Sequence, residues 1–334
     1  MIALLVLLAA ALAAFTGWIA WCFREEHRSD RIPALLYHRL LPKDRFDRGE
    51  IRSDERSYVA FDTDFAAEMQ ALRDDGYTTL DLDDYFAIRR GERPLPPRPV
   101  LITFDDGFRS VYLHAFPVLR RLGMKATVFV TPDAASENFR KNAPLDEPLR
   151  PDEMRTMLAN GIAIESHGMT HRYLTDLDEP TIRWELSEAR RVLEAIIGRP
   201  VRYLAIPSGA YNGVIKRLAI ETGHAAVFGM GKGTIHPKSD PHALRRLVVG
   251  RDVGAAGLRR ILDPRTTFQL RVTGAVQVLV MRLAGARGLD RLRAFILRFP
   301  FGPALLRRPA RLLALGMVFL LMLGALAMLA ARLA

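Results

Sequence analysis

The pattern that most restricts how this chain can fold is an alternation of short, mostly apolar runs with amphipathic helical segments, carried from Pro33 to Phe228. Val100 to Phe104, Ala126 to Val130, Ile162 to Ile164, Val201 to Ile206 and His224 to Phe228 read as buried strands. Between and before them, apolar residues recur at helical spacing: Phe65, Met69 and Leu72; Val111, Ala115, Val118, Leu119 and Leu122; Ile182, Leu186, Ala189, Leu193 and Ile196. Gly76, Gly123 and Gly198 supply stops, Asp62 or Thr63 a start, and Gly213 to Glu221 a further helix. Repeated strand–helix units predict a mostly parallel α/β sheet, either open or closed into a barrel, and the pattern alone does not choose.

The chemistry is concentrated where strands end. Val100 to Phe104 stops at Asp105 and Asp106, followed by Gly107, which permits a tight turn. Two neighbouring acids at the end of a buried strand repel one another, and a divalent cation relieves that cost. Further on, His167 and His171 stand four residues apart; on a helical turn that spacing places both rings on one face. One carboxylate with two imidazoles leaves a coordination position for water, which separates a catalytic site from a structural one. The single Cys22 excludes an internal disulfide and a cysteine-based zinc site.

The motif Thr103-Phe104-Asp105-Asp106-Gly107 and, about sixty residues later, His167-x-x-x-His171 resemble the first two signatures of the NodB-type polysaccharide deacetylases, carbohydrate esterase family 4. The resemblance spans roughly Pro33 to Val253. It implies a distorted (β/α)7 barrel with Asp105 as general base and Asp106, His167 and His171 as ligands of a divalent metal, usually zinc. Tyr37-His38, at the end of a first strand, is similar to an element of the branch that processes poly-N-acetylglucosamine; His38 is either at the rim of the site or a hydrogen-bonded strand-end residue. Pro207-Ser208-Gly209-Ala210-Tyr211 resembles the family's Pro-aromatic-Gly motif, which implies that Pro207, Ser208, Gly209 and Tyr211 line the substrate groove. Two departures stand out: Ser208 occupies the usual aromatic position, and the arginine that often precedes the proline and braces the base is missing. Arg246 lies in a segment that matches the branch's final strand. The Leu-x-His signature is absent; His224, His236 and His242 are candidates by residue type alone, and surface or loop positions are expected for them.

The net charge of +11 is unevenly placed: Arg251 to Arg311 holds thirteen Arg and three Asp, a surplus of ten that leaves the remainder at +1. These arginines alternate with apolar residues in a region without any nucleic-acid module, which favours anionic membrane lipids over nucleic acid. Ile2 to Phe23 is 22 residues without a charge and Leu312 to Ala331 is 20, each long enough for a hydrocarbon core of roughly 30 Å. The expected organisation is an N-terminal anchor at 1–23, favoured over a cleaved signal peptide, and a linker with the start of the domain at 24–96. The deacetylase core follows at 97–253, basic amphipathic membrane-surface helices at 254–306 and a second span at 307–334. Arginines on the domain side of both spans favour a cytoplasmic domain. The resemblance then implies a membrane-anchored hydrolase that removes an N-acyl group from an amino sugar, in a polymer or a lipid-linked saccharide. The alternative is an inactive, membrane-tethered saccharide-binding relative.

Overall fold

The structure, a computed structural model, describes residues 2–48, 58–142, 145–251 and 253–275. It divides into two compact units, one of residues 28–267 and one of residues 1–27 with 268–334. In the larger unit the strands are β1 (Ala34–Tyr37), β2 (Arg39–Leu41), β3 (Val59–Phe61), β4 (Thr78–Leu80), β5 (Pro99–Phe104), β6 (Ala126–Val130), β7 (Ile162–Ser166), β8 (Tyr203–Ala205), β9 (Ala226–Lys232) and β10 (Leu244–Val248).

Pairing resolves the choice that periodicity left open. The order β1-β10-β9-β8-β7-β6-β5 returns to β1, because Leu35 of β1 lies opposite Leu247 of β10 and also opposite Ile102 of β5. The result is a closed, seven-stranded parallel barrel, with β4 added to β5 and a separate two-stranded parallel sheet of β2 and β3. Ala34, Leu101, Phe129, Tyr203, Ala226, Phe228 and Leu244, contributed by different strands, form one buried cluster. Several of these are the first residues of their strands, and the helix Leu82–Arg89 adds Leu82, Tyr85 and Ile88 to them. The N-terminal end of the barrel is thereby covered, and the C-terminal end is left for chemistry, as in related barrels.

The outer helices form where the apolar spacing predicts them. Asp62–Asp74 buries Phe65, Met69 and Leu72, although its cap position is Phe61 and makes no side-chain bond. Glu179–Ile197 is capped by Asp178 and ends at Gly198, whose φ of 70° is the left-handed conformation that glycine adopts without strain. Between Thr131 and Pro151 there is a short helix, Glu137–Asn142.

The two-span membrane reading is corrected here. Among the described residues, no helix is long and apolar enough to cross a membrane. The helix Ile2–Glu26 runs on into Arg24, Glu25 and Glu26. Within its own unit Cys22 and Glu26 are fully buried, Phe23 meets Phe268 edge-on and Glu26 accepts a hydrogen bond from a buried Arg271. Its last turn thus carries charge and makes protein contacts at Phe23 and Glu26, and the orientation argument built on two spans falls with the two-span reading. The second expected span, Leu312 to Ala331, and the basic helices beyond residue 275 lie outside the described residues.

Candidate active site

Asp105 and Asp106 leave the C-terminal end of β5, and the turn they make is sterically demanding. Asp105 N–H donates to Tyr37 O at 3.0 Å, which continues the β1–β5 ladder by one bond. Asp106 and Gly107 then take φ of 75° and 84°. Aspartate tolerates that region better than most residues, whereas a Cβ on Gly107 would lie 2.8 Å from Val130 Cγ1. Only glycine allows β5 and β6 to approach so closely at this point.

His167 follows directly on β7. Its Nδ1 lies 2.9 Å from Ala205 O, a bond that places the ring proton on Nδ1 and turns the Nε2 lone pair toward the acids. His171 arrives differently from the expectation of a helical turn: residues 167–171 form a loop, with φ of 74° at Gly168 and 63° at His171. The loop still brings the rings together, with centroids 5.1 Å apart. His171 Nε2 stands 3.0 Å and His167 Nε2 3.5 Å from the same atom, Asp106 Oδ1. One ligand atom from each of Asp106, His167 and His171 lies within 4.8 Å of the others. Asp106 Oδ1 is buried and has no hydrogen bond of good geometry. An orphaned carboxylate oxygen facing two imidazole nitrogens suits a divalent cation, and the nitrogen–oxygen donor set suits zinc. Burial by itself would raise the Asp106 pKa, but the adjoining His167 and His171 outweigh it and hold the carboxyl well below the usual range.

Asp105 does not point into this cluster as a fourth donor. It is paired, bidentate, with Arg246 of β10: Nη1 to Oδ1 at 2.6 Å and Nη2 to Oδ2 at 2.7 Å, both residues buried. Burial pushes the Asp105 pKa up, but the Arg246 charge prevails and the group titrates below its ordinary value. The guanidinium is itself seated over the barrel interior, 5.6 Å from the centre of the Phe129 ring and 5.2 Å from that of Phe228. The brace that appeared to be missing before Pro207 is therefore supplied from another strand. The matching final-strand segment marked Arg246 in sequence, but its partner could not be read there.

These groups line a cleft of about 330 Å³ together with His38, Tyr58, Asn138, Tyr173, Ser208, Gly209, Lys232 and Val248. His38 stacks obliquely on Tyr58, with centroids 4.8 Å apart, and its buried Nδ1 has no partner among the described residues. Burial lowers its pKa, against the pull of the Asp106 and Asp105 carboxylates. Of the third cluster, Ser208, at φ 58°, and Gly209 face the cleft. Pro207 packs beneath the histidine loop, 3.3 Å from where a Cβ on Gly168 would be. Tyr211 packs against Gly229 and donates its hydroxyl to His242 O rather than lining the cleft. None of His224, His236 and His242 lines it; His224 lies in a loop, as expected, and is buried there, which lowers its pKa to about 4. Glu185, unmarked in the motif reading, is fully buried and accepts hydrogen bonds from the histidine loop.

Fold and site agree with a hydrolase of carbon–nitrogen bonds: residues 92–227 match the model of the polysaccharide deacetylase family. Among particular relatives, Bacillus subtilis YxkH is 27% identical over 230 residues, 69% of this chain and 75% of that protein. The poly-β-1,6-N-acetyl-D-glucosamine N-deacetylase of Staphylococcus epidermidis is 27% identical over 234 residues, 66% of this chain and 79% of that one. The Streptococcus pyogenes deacetylase PplD, solved in complex with acetate, shares the fold with a TM-score of 0.61 at 20% identity, covering 71% of this chain and all of that one.

Proposed function

We propose that this domain is a metal-dependent N-deacetylase acting on a polymer of N-acetylglucosamine. The observation that carries the reading is the convergence of Asp106, His167 and His171 within 4.8 Å, beside an Asp105 that is held ionised by Arg246. A divalent cation held by Asp106, His167 and His171, most naturally zinc, would supply Lewis acidity toward water and the amide carbonyl. Asp105 takes the proton of the attacking water as its oxygen bonds to the acyl carbon. Arg246 fixes the direction of that carboxylate and keeps it unprotonated at neutral pH. The proton that Asp105 has taken passes to the departing amine as the carbon–nitrogen bond breaks. The products are acetate and a free amino sugar.

The polymer is favoured over a lipid-linked sugar because the Staphylococcus epidermidis relative is named for a polymer substrate. Tyr58, Tyr173 and Val248 are each about half exposed on the cleft wall, where aromatic and apolar faces can receive sugar rings. They compensate for the serine at position 208.

The test is acetate release from β-1,6-linked N-acetylglucosamine oligomers by zinc-loaded protein, repeated after chelation and after zinc is restored. Chelator-sensitive release that zinc recovers is the expected result. Saccharide binding without release would instead identify an inactive binding relative, and neither binding nor release would refute the assignment.

A further inference from the structure

Glu185 lies on the helix Glu179–Ile197, one residue before Leu186 and three after Ile182, in the stripe that faces the barrel. A carboxylate fully buried on an apolar stripe needs partners, and its partners are all in one loop. Oε2 accepts from Met169 N–H at 2.8 Å and from Thr170 N–H at 2.9 Å, and Oε1 accepts from the Thr170 hydroxyl. The loop between the two histidines is otherwise held by single bonds, Gly168 N–H to Ser166 Oγ at 3.3 Å and Asp133 N–H to Met169 O at 3.3 Å among them, whereas Glu185 takes three. It is not helical, it passes through left-handed conformations at Gly168 and His171, and its start is tied by His167 N–H to Val130 O at 3.0 Å. A Cβ on Gly168 would lie 3.5 Å from Glu185 Oε2, so the loop is drawn onto the carboxylate along its length.

We infer that Glu185 is a positioning residue for the metal site: by accepting two consecutive N–H groups and one hydroxyl, it sets the path that delivers His171 to Asp106 Oδ1. The inference rests on the reading of Asp106, His167 and His171 as the metal-binding set. Glutamine in place of glutamate can keep the geometry, its carbonyl accepting both N–H groups and its amide donating to the Thr170 hydroxyl, whereas alanine can keep none of it.

The experiment measures zinc affinity of the full-length protein by competition with a chromophoric chelator, alongside thermal unfolding of the zinc-free forms. For Glu185→Ala the zinc dissociation constant should rise about 10- to 100-fold, the usual effect of losing a group that orients ligands, and Glu185→Gln should stay within about threefold of the native protein. Thr170→Val, a milder change that removes one of the three bonds, should weaken zinc by about two- to tenfold, which keeps the inference testable if Glu185→Ala does not fold. Unchanged zinc affinity in Glu185→Ala or Thr170→Val, or equal losses in Glu185→Ala and Glu185→Gln, would overturn the positioning role. Failure of the native protein to bind zinc would instead overturn the metal reading beneath it.

Discussion

Replacing Arg246 with methionine removes a charge of similar length from the floor of the cleft and leaves the Asp105 carboxylate buried without its two hydrogen bonds of 2.6 and 2.7 Å. Both side chains are almost fully enclosed, so water cannot take over the lost role. Breaking a buried pair from one side costs about 3 to 5 kcal/mol, and the folded state can escape part of that cost only by protonating Asp105. Protonation would disable it as a base, so turnover at neutral pH should fall by at least about 10²-fold. A double-mutant cycle with Asp105→Asn separates these effects. Arg246→Met alone should be strongly destabilised, and Asp105→Asn/Arg246→Met, which buries no net charge, should regain at least about 2 kcal/mol of the loss. Urea unfolding of all four zinc-free proteins gives the coupling energy, and a pH–rate profile of the zinc-loaded single mutant gives the activity. A coupling within about 0.5 kcal/mol of zero, the range of non-interacting sites, would show that the pairing is not what stabilises this end of the barrel. An unchanged rate at neutral pH would remove Arg246 from the account of the base.

Asp105→Asn should retain zinc while turnover falls by about 10² to 10⁴, whereas His167→Ala should lose bound zinc; stoichiometric metal in the latter would break the assignment of ligands. Burial raises Glu68 to about 7 from 4.5, with Tyr37 donating to it at 2.7 Å. Because the folded-state value is the higher, the protonated group supports folding fully below 4.5, and that support is lost as pH rises toward 7, by about 3 kcal/mol in total. Glu68→Gln should therefore flatten the pH dependence of the unfolding free energy and be the more stable form at pH 8; parallel curves for the two proteins would contradict this. Gly107→Ala, with a φ of 84° and a Cβ 2.8 Å from Val130 Cγ1, should cost at least about 2 kcal/mol, seen as a lowered midpoint of thermal unfolding, and an unaltered midpoint would show that the turn can relax.

Local signals were read well where a short stretch of chain determines its own conformation. The strand Val100 to Phe104, the stop at Gly198 and the helix Gly213–Glu221 formed as their residues dictate, because apolar periodicity and glycine stops act over a few positions. The adjacent acids with their turn glycine, and the histidines four residues apart, were visible for the same reason. Misreadings arose where local pattern and tertiary context part. The histidine spacing suggested a helical turn, yet the chain reaches the same convergence through a loop that a distant carboxylate holds. The apolar N-terminal run suggested a span, yet no helix among the described residues is long and apolar enough to cross a membrane.

By itself, then, the order of residues determined the run of strands and helices, the turn at Gly107 and the donor atoms available to a cation. Only the tertiary structure decided that the sheet closes through β1, that Arg246 rather than a residue before Pro207 holds Asp105, and that Glu185 shapes the loop carrying His171. The physical reason is separation along the chain. Arg246 and Asp105 are 141 positions apart, and a contact of that range exists only once β10 has been laid beside β1 and β1 beside β5, which no local propensity encodes.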